Sequence, residues 1–453
     1  MNSNLNEIFH PDLTKDRILK SILAFAVPMA ISFIFQQFYN AVDIVVVGHF
    51  LGENSLAAIG ATSAIFNLLL GFGNGFGNGL GIVAARAYGA KDENMLKKVV
   101  LSSILISIGV SLFIFLICLF FLKKLLFLLG TPAQILDEAF SYIWLIGTWS
   151  SVMFAYNLLS GLLRAIGNSI MPLVFLVFSS LMNIFLDILL IAKFGMGVEG
   201  TAIATVLAQG ISAVLCLIYI LFRVKILIPN KKSFNVDVRI YKELLGQGLS
   251  MALMSSLVNS GTVILQSAIN KFGTLIIAGH ISARKIFAIS NIPLFTLGMA
   301  GTTFVSQNLG AGKVDRIKKG VKELYLMCTI WGLLCTIIMP FISKALIAAI
   351  SGSDTPEILS YGSKYINFMI PFFPVLGMLL VTRNALQGLG KKVLPLTSSI
   401  IELLGKVVFT ALIIPHSGIW GIIICEPLIW VLMLVQLIFV FWRYVRQLEN
   451  KNL

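Results

Sequence analysis

Asp187 is the one acid in residues 181–195, LMNIFLDILLIAKFG, and Asn183 lies four positions before it. A charge at the centre of a lipid-buried helix costs about 2.5–3.5 kcal/mol on insertion scales, so such an acid needs a partner. Two other stretches carry polar stripes of helical spacing. Gln36, Asn40 and Asp43 follow i, i+4, i+7, and Thr201, Thr205 and Gln209 form a stripe with Ala204 and Ala208 beside it. Residues four apart share one helix face, and lipid is the direction such faces avoid. Turned inward, the three stripes form a small oxygen-rich pocket. Two carboxylates, an amide and a hydroxyl suit either a sodium ion or a shared proton. Two carboxyl groups brought together out of water hold one proton between them near neutral pH.

The elements that position these residues follow from composition. The 453-residue chain is 58% hydrophobic and 12% charged, with a mean hydropathy of +0.93, where a soluble protein carries roughly 25% charged residues. Apolar runs recur from Ile18 to Phe441, each long enough to cross a hydrocarbon core of about 30 Å with roughly 20 helical residues. The ten-residue alternation of a membrane barrel is missing. We therefore expect an all-α membrane protein with twelve transmembrane helices, over 18–46, 54–83, 97–122, 134–158, 165–191, 199–222, 241–270, 275–305, 318–345, 358–385, 393–414 and 418–442. The first twenty residues contain Glu7, Asp12 and Asp16 and no cleavage-site pattern, so the first helix is expected to be retained. All five cysteines lie in apolar runs and the four histidines are scattered, which points to core packing and away from metal or disulfide chemistry.

The net charge is +14, and its placement matters more than its size. With both termini on one side, that side receives 25 of the 34 Lys and Arg residues. The opposite loops receive Lys123, Lys124, Lys193, Lys271, Lys344 and Lys364, and the remaining three, Arg284, Lys285 and Lys406, fall inside predicted helices. This asymmetry makes both ends cytoplasmic. The basic loops then meet anionic lipid head groups and not nucleic acid.

The sequence repeats itself. A polar linker over 225–240 separates an N-terminal lobe, 1–224, from a C-terminal lobe, 241–453. LLRAIGNSIMPL (162–173) parallels ALQGLGKKVLPL (385–396), and GVEG (197–200) parallels GIWG (418–421). Gly89-Ala90-Lys91-Asp92 likewise parallels the stretch from Gly310 to Asp315. Six helices return the chain to its starting side, so the halves share a topology and are expected to be related by a pseudo-two-fold axis along the membrane normal. Two such bundles around a cleft permit alternating access. Duplication alone would also enlarge a passive bundle, but polar stripes at membrane depth favour a transporter.

NAVDIVVVGHFLGENSLAAIGA (40–61), GLLRAIGNSIMPL (161–173), NIFLDILLIAKFGMGVEGTAIATVLAQ (183–209) and TTFVSQNLGAGKVDRIKKGV (302–321) resemble the multidrug and toxic compound extrusion (MATE) family. The resemblance runs in order through essentially the whole chain. It implies an efflux antiporter, not an enzyme, that exports cationic amphipathic drugs against a proton or sodium gradient. It implies no cofactor beyond that coupling ion, no metal beyond a sodium at the coupling site, and a monomer in the cell membrane. By resemblance, Asp43, Asn183, Asp187 and Thr205 occupy the family's N-lobe cation site. Helix position alone assigns Phe35, Gln36, Tyr39, Asn40, Asn157, Met254, Asn259 and Met299 to a substrate cavity, where aromatic faces and Met side chains suit flat cations.

Some branches of the family carry a second acidic site in the C-terminal lobe. Here residues 251–273 and 367–388 contain no acid, which puts that site in doubt. Glu402 and Lys406, four apart, are positioned either to neutralise each other or to contact a substrate, and Glu426 beside Pro427 has no assigned role. The stretch GFGNGFGNGLG (71–81) alternates six glycines. Strict alternation is no dinucleotide fingerprint. It marks close helix packing or a pliant second helix with Asn74 and Asn78 towards the cleft, while Pro28 marks a kink in the first helix. A related two-lobe flippase for lipid-linked sugars would need several bases in the cleft, where only Arg284, Lys285 and Lys406 lie at depth. An enzyme would need a catalytic constellation and a channel a repeated filter loop, and the sequence offers neither.

Orientation is open to direct labelling. Cysteines introduced by Lys231→Cys and Gln447→Cys are expected to react with an impermeant thiol reagent only from the cytoplasmic side. Labelling of either in intact cells from outside contradicts the charge argument.

Overall fold

The computed structural model describes residues 11–235 and 237–452, and the side chains of Asn40, Lys451 and Asn452 lie outside the described residues. Every regular element among the described residues is helical, and fourteen α-helices run to 13 residues or more. They are α1 (Ile18–Phe50), α2 (Gly52–Gly89), α3 (Glu93–Leu128), α4 (Leu136–Thr148), α5 (Ser150–Ala165), α6 (Ile170–Ile188), α7 (Val198–Arg223), α8 (Val238–Ile269), α9 (Thr274–Gly310), α10 (Val314–Ser351), α11 (Pro356–Met369), α12 (Phe373–Gly388), α13 (Val393–Val408) and α14 (Ile419–Asn452). Eleven spans among them are long and apolar enough to cross a membrane. The missing twelfth is the run expected over 134–158, which breaks at Trp149 into α4 and α5. The corresponding run in the second half breaks too, at the 3-10 turn Ile370–Phe372 between α11 and α12. Pro371 and Pro374 explain that break, since each lacks a backbone donor.

Backbone irregularities expose the duplication. All ten described residues with positive φ fall into five pairs: Gly52 with Gly273, Lys91 with Gly312, Gly130 with Gly352, Gly167 with Gly390, and Gly195 with Gly418, each separated by 221 to 223 residues. Lys91 holds at φ 57° the left-handed turn that its counterpart makes with glycine. Both halves also carry a π-helical turn at matching places, Leu189–Lys193 after α6 and Phe409–Ile413 after α13.

The chain packs into two compact units. One comprises residues 31–255 and the other residues 12–30 with 256–453. The division therefore falls inside α1 and α8, and not in the 225–240 linker that the sequence marked. The cause is visible in the burial of single side chains. Ile22, Phe25, Ala26 and Met29 of α1 join the apolar core built around Phe304, Val321 and Phe373, whereas Ile240, Leu244 and Ala252 of α8 join the core around Phe76, Leu80 and Leu162. Large apolar side chains such as Phe341, Leu128, Phe222 and Phe439 lie outside these cores, more than two-thirds exposed. That surface is what a lipid-facing helix presents.

The alternating glycines resolve into two packing rows. Two residues advance about 200° around a helix, so alternate positions fall on opposite faces. Gly73, Gly77 and Gly81 face α5: an added Cβ would lie 2.8 Å from the Asn157 carbonyl at Gly77 and 3.1 Å from the Gly161 oxygen at Gly81. Gly75 and Gly79 face α8, each with a backbone carbonyl 2.6 Å from where a Cβ would stand. The second helix is thus clasped backbone to backbone on both sides, as small residues permit in a membrane. Asn74 lines a cavity described below, and Asn78 accepts a hydrogen bond from Arg164 at 3.2 Å. Gly77→Ala has no flexible neighbour to displace and should destabilise the protein by about 1–3 kcal/mol, an overpacking cost. A detergent unfolding curve checks this, with Gly109→Ala, which meets open space, as the control expected to match wild type.

Candidate ion and substrate site

The polar stripes of α1, α6 and α7 converge inside the first unit. Asp187 is fully buried in the final turn of α6, directly before the π turn. Asp43 is half-buried on α1, and its carboxyl group lies beside that of Asp187. Among the described residues neither oxygen of Asp187 nor Oδ1 of Asp43 receives a hydrogen from any N–H or O–H group. Two carboxyl groups side by side out of water favour a shared proton or a bound cation over two free charges. The amide of Asn183 and the hydroxyl of Thr201 are buried beside it without partners. Buried polar groups are normally satisfied, so a cluster of exceptions marks a place where an ion or water sits.

Two small cavities flank the pair. One, about 40 Å³, is lined by Gln36, Tyr39, Asn74, Asn157, Asn183 and Thr205 among others. The other, about 150 Å³, is lined by Asp43, Thr62, Tyr142 and Thr201 as well as apolar side chains. Tyr39 and Thr205 line both, which makes them the wall between the cavities. Of the residues read from sequence, the structure thus gathers Asp43, Asn183, Asp187, Thr205, Gln36, Tyr39 and Asn157 into one region. Phe35 is 39% exposed and Met254 is buried in the first unit, and neither lines these cavities. Met299 packs on the second unit's core and Asn259 is half-buried there. The side chain of Asn40 lies outside the described residues.

The second unit answers its buried acids differently. Glu402 and Lys406 of α13 pair at 3.0 Å. Lys406 also reaches Glu426 Oε1 at 3.3 Å, and Arg284 of α9 reaches Glu426 Oε2 at 2.6 Å. Tyr365 donates to the same oxygen at 3.4 Å. Gly261 lets the Lys406 stem lie against α8, since a Cβ there would stand 2.9 Å from Lys406 Cδ. Arg383 of α12 approaches Glu402 at 4.0 Å. The sequence grouped Arg383 with the cytoplasmic bases, yet it is largely buried beside these acids. Its partner lies on the next helix, beyond the reach of an i, i+4 rule.

Comparison with known proteins decides the family. The profile of the family described as MatE matches residues 28–189 and again residues 250–412, once in each half. The chain belongs to the MatE family. It is accordingly a multi-pass membrane transporter and not an enzyme. Its relatives are described as multidrug resistance and multidrug export proteins: it is 25% identical over 414 residues to the probable multidrug resistance protein YpnP of Bacillus subtilis, with 91% of this chain and 92% of that one covered. To the multidrug export protein MepA of Staphylococcus aureus (strain MW2) it is 23% identical, covering 91% and 92%. The fold matches a crystal structure of MATE in complex with MaL6 at a TM-score of 0.89, with 21% identity over 99% of this chain and 100% of that one. An outward-facing multidrug resistance MATE transporter of the MOP superfamily matches at 0.88, with 21% identity over 97% and 98%.

Breaking a buried ion pair from one side costs about 3–5 kcal/mol, because the abandoned charge stays buried. Lys406→Met should therefore lower stability by that amount in a detergent unfolding assay. Lys193→Met, at an exposed position, should stay within about 0.5 kcal/mol of wild type. Equal stability of Lys406→Met and wild type contradicts the description of Lys406 as the bridge between two acids.

Proposed function

We propose that this MatE transporter is a proton-coupled antiporter that exports cationic amphipathic drugs by alternating access, with both termini cytoplasmic. The observation that carries the reading is the buried carboxyl of Asp187 standing beside Asp43, with no hydrogen-bond partner for either of its oxygens among the described residues. One proton shared by the pair relieves the cost of two buried charges. When the unit opens to the acidic side the pair loads a proton, and it gives the proton up when an organic cation supplies the compensating charge. Asn183 and Thr205 steady the carboxyls, and Tyr39, on the wall of both cavities, offers an aromatic face to a cation. Relatives described as multidrug export proteins support the substrate class.

Sodium is the competing ion. It would draw on the same oxygens, those of Asp43, Asn183, Asp187 and Thr205. Liposomes holding equal amounts of each variant distinguish the readings. Under a pH gradient without sodium, wild type should drive ethidium efflux. Asp187→Asn and Asp43→Asn keep shape but fix the neutral form, so both should bind ethidium yet transport it only at the passive leak rate. Glu426→Gln should be milder, since its carboxylate is already held by Arg284 and Lys406. Efflux driven only by sodium would replace the proton, and wild-type efflux by Asp187→Asn would remove Asp187 from the mechanism.

A further inference from the structure

The cluster in the second unit carries more positive charge than it neutralises. Arg284, Arg383 and Lys406 stand against Glu402 and Glu426, three bases to two acids. Their contacts are unevenly shared. Glu426 has a base on each oxygen, Lys406 on Oε1 and Arg284 on Oε2. Glu402 Oε1 takes Lys406 at 3.0 Å. The unmatched group is Arg383. Its nearest carboxylate oxygen is 4.0 Å away, beyond hydrogen-bond distance. Its Nε is buried without an acceptor, and the guanidinium makes no hydrogen bond among the described residues.

A guanidinium holds five N–H donors in a fixed fork, and leaving charged donors unsatisfied in a buried place is costly. With 13% of its side chain exposed, Arg383 is reachable from outside the cluster. The excess of one unit of charge selects a monoanion, since a phosphate dianion would overshoot it. The planar fork selects a carboxylate, which accepts two parallel hydrogen bonds, over a halide, which cannot.

We propose that Arg383 is a binding residue for the carboxylate of zwitterionic amphipathic substrates. Glu402 lies beside its fork, and the chain Lys406–Glu426–Arg284 fixes that acid in turn. The proposal rests on the drug-export reading. A substrate without a carboxylate leaves Arg383 unused.

The test uses two dyes that differ by one methyl group, rhodamine 110 with a free carboxylate and rhodamine 123, its methyl ester. Binding to the full-length protein in nanodiscs is followed by fluorescence polarisation. Wild type should bind the acid roughly ten- to a hundred-fold more tightly than the ester, the value of a charge-assisted hydrogen bond. Arg383→Gln should bring the two dyes within a factor of about two by weakening the acid alone, and Arg383→Lys should retain part of the preference. Unchanged ester binding shows that the variants are folded. Equal binding of both dyes by wild type, or a preference that survives Arg383→Gln, overturns the proposal. If neither dye binds, the drug-export reading fails, and the site is judged separately with benzoate and its neutral amide. Benzoate alone should raise the unfolding temperature of wild type and not of Arg383→Gln, and no such shift, or the same shift with chloride, overturns the site.

Discussion

A carboxylate inside a membrane-spanning unit has to meet positive charge, because neither lipid tails nor packed side chains replace the water it has lost. The two halves of this protein meet that demand in opposite ways. In the first, Asp187 stands beside the carboxyl of Asp43, and neither of its oxygens has a hydrogen-bond partner among the described residues. In the second, Glu402 and Glu426 are held by side chains that cannot leave, Lys406 and Arg284. A site whose counter-charge comes and goes is suited to coupling, and a site whose counter-charge is covalently attached is not. The proposed proton coupling therefore belongs to the first unit, while the second keeps a fixed polarity.

The repeat makes the contrast sharper. Helices α6 and α13 are counterparts, and each ends in a π-helical turn immediately after its ionisable groups, Asp187 in one and Lys406 in the other. A π turn inserts a residue into the helical ladder and commonly sits at functional positions. Both halves thus keep the same backbone device while their chemistry has diverged from acid to base. The paired left-handed turns at Gly167 with Gly390 and Gly195 with Gly418 bracket these segments, so the frame around each cluster is common to the two halves.

Much of this was legible in the sequence because it is local. Apolar runs fixed where helices lie, and helical spacing put Asn183 with Asp187 and Glu402 with Lys406. What escaped was long-range or conformational. Glu426 meets Arg284 across 142 positions, and no periodicity links them. Arg383 read as one more base near a helix end, because its own helix carries no acid to betray a buried partner. A count of bases against acids in the second half was the available signal. The break at Trp149 has no proline to announce it, unlike its counterpart at Pro371, and hydropathy runs straight through it. The sharing of α1 and α8 between the packed units was also invisible, since a linker's polarity says where a chain is exposed and not which core its neighbouring turns enter.

The central claim is that Asp43 and Asp187 hold one exchangeable proton between them. Infrared difference spectroscopy on purified protein in sodium-free buffer tests it most directly, with isotope-labelled aspartate to separate its carbonyl stretch from that of glutamate. Saturating ethidium should abolish a protonated-aspartate band in wild type, and neither Asp43→Asn nor Asp187→Asn should lose such a band. Ethidium bound to wild type with no loss of that band would contradict the account.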